Sequence, residues 1–247
     1  TLSGRLLATD LPPRSDGAVI DCAYAGRTLC QDGQYGSLKA LAEQVVSSGG
    51  KLLLPVPPNG RGSDMLLYLC ESLPGVPIYA EANVAELCAE LLEKRRWLRE
   101  GAGGEIRAVS LPDAQARRRA LTEGGGAVYL TGDGMMSSPV AAEYFEALKQ
   151  DAKNCIVITG HTAESTLGNR IFDPDYRAQA GVAARAERLT IKVHLDTRDV
   201  IQLNRTVQAQ KILLFHAPGG NAAGLIAELK GQGVDARCSL EYGALRL

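Results

Sequence analysis

The sequence predicts an α/β protein built on parallel sheets with helices on both faces. Short runs of β-branched and aliphatic residues alternate with amphipathic stretches along most of the chain. When the helical stretches span about 10 to 15 residues, this alternation indicates βαβ units, whose strands are parallel. The 247 residues, 45% apolar and 22% charged, have the composition of a soluble globular protein with one large domain or two small ones.

The elements follow from the period of the apolar residues and from the residues that close each run. Leu38, Leu41 and Val45 recur at helical spacing before Gly49, and Pro57 closes a continuous apolar run. The same criteria predict strands at Ala18–Tyr24, Lys51–Val56, Pro77–Glu81, Ile106–Ser110, Ala127–Thr131, Cys155–Thr159, Leu189–His194, Lys211–His216, Val234–Cys238 and Ala244–Leu247. They predict helices at Ser37–Ser48, Ser63–Leu73, Val84–Leu98, Asp113–Thr122, Pro139–Lys149, Thr197–Val207 and Asn221–Gln232.

A linker and a second unit are predicted near the end of the chain. Phe172–Ala183 lacks clear periodicity, and a new strand and helix pattern begins near Ala184. The chain opens at Thr1 without a methionine, so we expect a processed protein or a piece of a longer one.

Charge and cysteine usage narrow the classes of partner and compartment. A net charge of −1 gives no overall attraction to nucleic acid, so any such binding needs a local patch. No apolar run is long enough for a membrane span, and no membrane partner is expected. The six cysteines form no C-x-x-C pair, which favours buried, reduced thiols in the cytoplasm.

Two histidines are the strongest candidates for chemistry. His194 and His216 each end a predicted strand, and open α/β sheets carry their sites at the carboxyl ends of strands. Histidine is also a common metal ligand and proton shuttle. Asp10 and Asp21 each follow an apolar run, which suits a metal ligand or a general acid–base as well as a simple turn cap.

Other candidate features have equally plain structural explanations. Glycine-containing loops follow the predicted strands at 131–138, 159–161 and 216–221, and they either cradle phosphate or form tight turns. We expect the arginine runs at 95–96 and 117–119 to be solvated helix faces, with phosphate contact as the alternative. No dinucleotide-binding or P-loop motif is present.

Seven short segments in chain order resemble motifs of one family. They are VIDCAYAGR at 19–27, LPVPPNGR at 54–61, VPIY at 76–79, GDGM at 132–135, TGHTAESTLGNR at 159–170, HLD at 194–196 and HA at 216–217. Together they resemble the β-CASP branch of the metallo-β-lactamase superfamily, whose enzymes cleave nucleic-acid phosphodiesters with two zinc ions. Lys192-Val193 stands where Ser-Ala is common in that family.

The resemblance implies a domain order and a set of roles. It implies a metallo-β-lactamase tail at 1–25, a β-CASP domain at 26–185, and at 186–247 a return into the metallo-β-lactamase αββα fold. It implies a zinc-dependent RNA-processing nuclease, with RNA as the partner. The implied roles are metal ligation by Asp10 and His216, catalysis by Asp21 and His194, and RNA-phosphate binding by Arg61, Gly134, Ser137, Thr166 and Arg170.

One departure limits what this chain is expected to do alone. The family's H-x-H-x-D-H ligand cluster is not in the sequence, and three histidines cannot supply a di-zinc shell. We therefore expect two zinc ions only in the full-length protein, with an N-terminal metallo-β-lactamase half as partner and a homodimer left open. The alternatives are a catalytically dead β-CASP paralogue acting as a scaffold or partner subunit, and a generic α/β small-ligand domain.

Overall fold

The computed structural model describes residues 2, 4–7, 9–123, 125–217 and 220–239. The chain divides into two compact units. The smaller unit is formed by both ends of the chain, 1–31 and 192–247, and the larger by 32–191. The predicted β-CASP domain at 26–185, with its flanking metallo-β-lactamase segments, stays a prediction, because compact units do not by themselves define domain boundaries.

Strands and helices alternate along the chain and are numbered in chain order. The strands are β1 (Gly17–Asp21), β2 (Lys51–Pro55), β3 (Ile78–Glu81), β4 (Val109–Leu111), β5 (Ala127–Thr131), β6 (Cys155–Ile158), β7 (Arg185–Arg188), β8 (Lys211–Phe215) and β9 (Asp235–Cys238). The helices are α1 (Gln31–Ser47), α2 (Ser63–Ser72), α3 (Ala82–Glu93), α4 (Ala114–Thr122), α5 (Pro139–Leu148), α6 (Leu167–Arg170), α7 (Pro174–Ala180), α8 (Thr197–Val207) and α9 (Ala223–Gly231).

The larger unit is built on a six-stranded parallel sheet in the order β4-β3-β5-β2-β6-β7. Strands β5 and β6 are buried at every position, as expected for a parallel sheet covered on both faces. Leu53, Tyr129 and Ile156 belong to one apolar cluster with Tyr144 and Phe145 of α5. Because all six strands are parallel, their carboxyl ends lie at one edge of the sheet.

The smaller unit has a three-stranded parallel sheet in the order β1-β8-β9. Ile20 and Leu214 lie on its buried face, in a cluster that also contains Leu225 of α9. The other face carries Val19 and Phe215, which are 64% and 52% exposed. The predicted class, α/β with parallel sheets and flanking helices, is confirmed.

The predicted strand Leu189–His194 is wrong. The last strand of the larger sheet, β7, ends at Arg188, and His194 lies in an irregular connection before α8. The side chain of Gln31 bonds both backbone groups of Lys192, accepting from its N–H at 3.1 Å and donating to its carbonyl at 3.2 Å. Those two groups are therefore satisfied without a strand neighbour.

The predicted linker at Phe172–Ala183 is also wrong, because it contains helix α7. Asp173 caps this helix by accepting from the N–H groups of Asp175 and Tyr176, and Pro174 occupies its first turn. Gly181 ends it in the left-handed conformation, with φ of +64°. The predicted strand Ala244–Leu247 lies outside the described residues.

All six cysteines are free thiols, of which five are buried and Cys30 is exposed. Burial raises the pKa of Cys22, Cys88 and Cys155 to about 12, so these thiols are protonated and inert at neutral pH. Among the described residues, no helix is both long and apolar enough to cross a membrane.

Candidate active site

Asp21, His194 and His216 come together at the carboxyl ends of β1 and β8. Asp21 is the last residue of β1 and lies opposite Phe215, so His216 follows it on the neighbouring strand. His194 Nδ1 lies 3.0 Å from Oδ1 of Asp21, and His216 Nδ1 lies 3.1 Å from Oδ2. One carboxylate therefore holds two imidazoles, one on each oxygen.

This arrangement assigns the ring protons of both histidines. An ionised carboxylate only accepts hydrogen bonds, so each Nδ1 bonded to Asp21 must carry a proton. Each Nε2 is then the atom left for a metal ion, a substrate or a proton in transfer. The two rings lie edge to face, with centroids 4.9 Å apart.

The backbone at His216 has a conformation that is uncommon outside glycine. Its φ is +63°, in the left-handed region that costs a non-glycine residue about 1–2 kcal/mol. Residues held in this region cluster at functional sites. His216 therefore leaves the direction of β8 directly after the strand, which turns its side chain to the Asp21 carboxylate.

Three buried ionic side chains, from residues on both sides of His194 in sequence, hold the connection that carries this histidine. Lys192 Nζ bonds Asp196 Oδ2 at 2.7 Å and Asp199 Oδ2 at 2.9 Å. Lys192, Asp196 and Asp199 are all at most 5% exposed. Burial alone would raise the pKa of Asp196, but hydrogen bonds from Lys192 and from the backbone N–H groups of Leu29 and Asp199 outweigh it and leave the pKa below its ordinary value.

Asp196 also caps α8, since its Oδ1 accepts from the N–H of Asp199 at 2.9 Å. The connection that carries His194 is thus fixed on both sides. Sequence reasoning missed this triad, although an Asp followed three residues later by a second Asp at a helix start was a visible capping pattern.

Asp10 is not a member of this cluster. Among the described residues, Asp21, His194 and His216 are the one group of three or more histidine, cysteine or acidic side chains whose donor atoms converge, all within 4.8 Å of one another. Asp10 is exposed, in a segment without regular structure. The structure therefore brings together three of the four predicted catalytic and metal-binding residues.

The five predicted RNA-phosphate residues lie at the carboxyl edge of the larger sheet. They follow three strands that are adjacent in the order β5-β2-β6. By strand, they are Arg61 after β2, Gly134 and Ser137 after β5, and Thr166 and Arg170 after β6.

The three loops contact one another closely. The Arg61 guanidinium lies so near Gly160 that a Cβ at that position would overlap it. Gly134 lies against Pro57, where an added Cβ would come within 2.9 Å of the proline ring. The N–H of Gly168 bonds the carbonyl of Met135 at 3.0 Å. Glycine at position 168 is therefore required for these loops to meet, because an added Cβ there would come within 2.7 Å of the Met135 carbonyl oxygen.

An internal carboxylate already occupies part of this edge. Asp133, with φ of +69°, accepts from the N–H of Met135 at 3.2 Å and also from the N–H groups of Ser137 and Ser138. The backbone N–H of Ser137 is therefore engaged within the chain. Any phosphate contact at Ser137 would use its exposed hydroxyl.

The expectation of a solvated face at 117–119 is wrong at Arg117, which is buried. Its Nε lies 2.8 Å from Glu81 Oε1 and its Nη2 lies 3.1 Å from Oε2, and Nη1 bonds Glu143. The hydroxyl of Tyr144 donates to Glu81 Oε1 at 2.7 Å. Arg117 thus completes a buried polar network and is not available to phosphate.

Residues 65–171 match the Beta-Casp domain family. A transcription termination factor FttA from Methanothermobacter thermautotrophicus is 27% identical over 83% of this chain and 37% of its own length. Endoribonuclease YSH1 of Yarrowia lipolytica is 25% identical over 90% of this chain and 30% of its own. Cleavage and polyadenylation specificity factor 73 of Drosophila melanogaster is 22% identical over 85% and 34%.

The chain spans about a third of the length of these curated relatives. A solved structure, a protein of unknown function from Enterococcus faecalis V583, covers 83% of this chain and 47% of that one, at 13% identity and a TM-score of 0.46. That likeness is too loose to support an inference. The domain match and the relatives confirm the resemblance seen in the motifs, and they support the β-CASP branch of the metallo-β-lactamase superfamily.

Proposed function

We propose that the chain is the C-terminal part of a zinc-dependent RNA-processing nuclease that hydrolyses phosphodiester bonds. The main observation behind this proposal is that the imidazoles of His194 and His216 each contact one oxygen of Asp21, at the carboxyl ends of parallel strands. RNA as the substrate is supported by the names of the relatives, which include an endoribonuclease and a cleavage factor.

His216 fits the role of a metal ligand. Metal-bound histidines almost always donate their second ring N–H to a carboxylate or carbonyl, and His216 donates Nδ1–H to Asp21. Its Nε2 would hold the ion, and Asp10 is the second ligand that we assign to this chain. Bound zinc would supply a hydroxide near neutral pH and neutralise phosphate charge. Two ions need more ligands than these, so we assign the rest to an N-terminal metallo-β-lactamase half.

His194 and Asp21 would move the proton. Asp21 fixes His194 in the tautomer that leaves Nε2 facing away from the carboxylate. A protonated His194 can donate from Nε2 to the leaving oxygen or contact the scissile phosphate, while the negative Asp21 stabilises the imidazolium. Cys22 is not a competing nucleophile, since it is buried and its thiol points to the carbonyl of Phe215.

RNA phosphates would bind at the carboxyl edge of the larger sheet. Arg61 and Arg170 supply positive charge, and the Arg170 guanidinium stacks on the Tyr176 ring at 4.1 Å, which fixes its plane. Gly134, Ser137 and Thr166 line the adjoining loops. With a net charge of −1, this local group of arginines would carry the attraction to RNA.

The exposed face of the smaller sheet would receive the N-terminal half. Parallel sheets are normally covered on both faces, yet Val19 and Phe215 are more than half exposed. We therefore expect this chain alone to be inactive, and a homodimer would have to compete for the same face. A cytoplasmic location is part of the proposal, and the six free thiols support it.

The roles of the two histidines can be tested in the full-length protein. His216→Ala removes a metal ligand, so zinc content and RNA cleavage should fall together. His194→Ala should lower cleavage by roughly 10²–10⁴ while zinc content stays nearly unchanged, because it removes an acid–base group. His161→Ala, at an exposed position of the larger unit, is the matched control for the metal and should leave zinc content unchanged. Zinc stoichiometry, melting temperature and cleavage are measured on the same samples.

If both site variants cleave RNA at the wild-type rate per folded molecule, the assignment is wrong. A full-length wild type that binds its partner but never cleaves, with a degraded H-x-H-x-D-H cluster upstream, would instead favour the scaffold function.

A further inference from the structure

We propose that Asp21, His194 and His216 bind one divalent transition-metal ion on this chain alone, with zinc the best fit. This site differs from the one in the proposed function, in which only His216 of the three is a ligand. It does not depend on RNA cleavage. The observation behind it is that the donor atoms of these three side chains, and no other such group among the described residues, lie within 4.8 Å of one another.

The donor set matches the chemistry of such an ion. Two imidazoles and one carboxylate form a common three-residue site for zinc and related first-row metals, with water in the remaining position. Zinc bonds to nitrogen and oxygen are about 2.0–2.2 Å long, which puts neighbouring ligand atoms roughly 3–3.5 Å apart. Each Nδ1 already lies in that range from its own oxygen of Asp21, His194 at 3.0 Å from Oδ1 and His216 at 3.1 Å from Oδ2, so a bidentate carboxylate would serve both.

The ion would therefore take the place of the two Nδ1 protons. Small rotations of the histidine rings would bring in the remaining donor pair, and both rings are free enough for this, with side chains 37% and 53% exposed. The buried ammonium group of Lys192, two residues before His194, is already paired with Asp196 and Asp199.

The test is a metal titration of the 247-residue chain. Zinc chloride is added during equilibrium dialysis, and affinity is measured by competition with a chromophoric chelator. We expect one equivalent of zinc in the wild type. Loss of an outer-shell partner lowers metal affinity by roughly 10–100-fold, and loss of a ligand should lower it further. We therefore expect His194→Ala, His216→Ala and Asp21→Asn each to weaken zinc binding by more than about 100-fold.

Two variants control for other ligands. His161→Ala removes the remaining histidine, and Cys30→Ser removes the exposed thiol. Both should retain one equivalent with unchanged affinity, and cobalt(II) in place of zinc should show no sulfur-to-metal absorption band. Circular dichroism and melting temperature establish that each variant is folded.

Absence of zinc binding, two equivalents in the wild type, or loss of binding in either control would overturn the site. If Asp21→Asn weakened zinc affinity by only about 10–100-fold, the loss expected for an outer-shell partner, Asp21 would not be a ligand. Because cleavage is tested separately on the full-length protein, failure of this site leaves the proposed function standing, and the reverse also holds.

Discussion

Lys192 anchors the connection that carries His194. Its ammonium group is buried between two carboxylates, where an ion pair stabilises little over an apolar substitute but is costly to break. Its two carboxylates come from the cap and the first turn of α8.

Lys192→Met should therefore destabilise the chain strongly. It leaves Asp196 and Asp199 buried without their counter-charge, a change that typically costs about 3–5 kcal/mol of unfolding free energy. The matched control is Lys39→Met, which breaks an exposed ion pair with Glu43 and should cost no more than about 0.5 kcal/mol. Urea unfolding measures both.

Adding Asp199→Asn to Lys192→Met should recover part of the loss, because one uncompensated charge is removed. A Lys192→Met protein as stable as the Lys39→Met control would show that the triad does not hold this connection.

At the scale of elements, the start of α5 is capped from two positions. Ser138 caps it directly by accepting from the N–H of Ala141 at 3.2 Å. Asp133 reaches the same turn from outside the helix through its bonds to the N–H groups of Met135, Ser137 and Ser138. The carboxylate also suits the positive end of the helix dipole.

Asp133→Gly isolates the contribution of this carboxylate. Glycine tolerates the left-handed backbone at this position, so the change removes the charged hydrogen bonds without adding strain. Charged hydrogen bonds contribute about 1.5–3 kcal/mol each, and we expect a loss of at least about 1.5 kcal/mol in thermal or urea unfolding.

Asp113→Gly is the control, since Asp113 caps α4 through a single N–H and an N-cap change to glycine costs only a few tenths of a kcal/mol. Equal losses in the two variants would show that Asp133 acts as an ordinary cap.

For the whole molecule, the charge balance decides how RNA could bind. A net charge of −1 supplies no general attraction, so affinity must come from a few arginines placed together. We expect weak binding with little base preference and a steep dependence on salt.

Arg61→Ala and Arg170→Ala should each weaken binding to single-stranded RNA and make the plot of log affinity against log salt shallower by about 0.7–1. Arg237→Ala removes an arginine that is paired with Asp235 on the smaller unit, and it should leave the slope unchanged. Filter binding from about 50 to 200 mM salt measures all three. A tight complex insensitive to salt would contradict a phosphate-based interface.

Most elements could be predicted from the sequence because their ends have local causes. The structure has β5 at Ala127–Thr131 and α8 at Thr197–Val207, as the sequence predicts. The strand predicted at 189–194 failed because a long-range contact from Gln31 satisfies Lys192. Burial of Arg117 likewise depends on Glu81, which a helical arginine run does not reveal.

The sequence could predict which residues form the candidate site, but not how they are arranged. Asp21 and the histidines could be named from strand ends and from motifs, but that one carboxylate holds both rings depends on the pairing of β1 with β8. The sequence could not predict that the Ser137 N–H donates to Asp133, because a Gly-Asp-Gly turn is equally compatible with an open phosphate-binding loop.

The smaller unit is assembled from both ends of the chain, and this has a consequence for biosynthesis. Asp21 precedes its two histidine partners by 173 and 195 residues. On the ribosome, the larger unit at 32–191 is made without interruption between them and can begin to fold first. The His194–Asp21–His216 cluster can form only after His216 has been translated, so a growing polypeptide that has not yet reached this residue carries none of its chemistry.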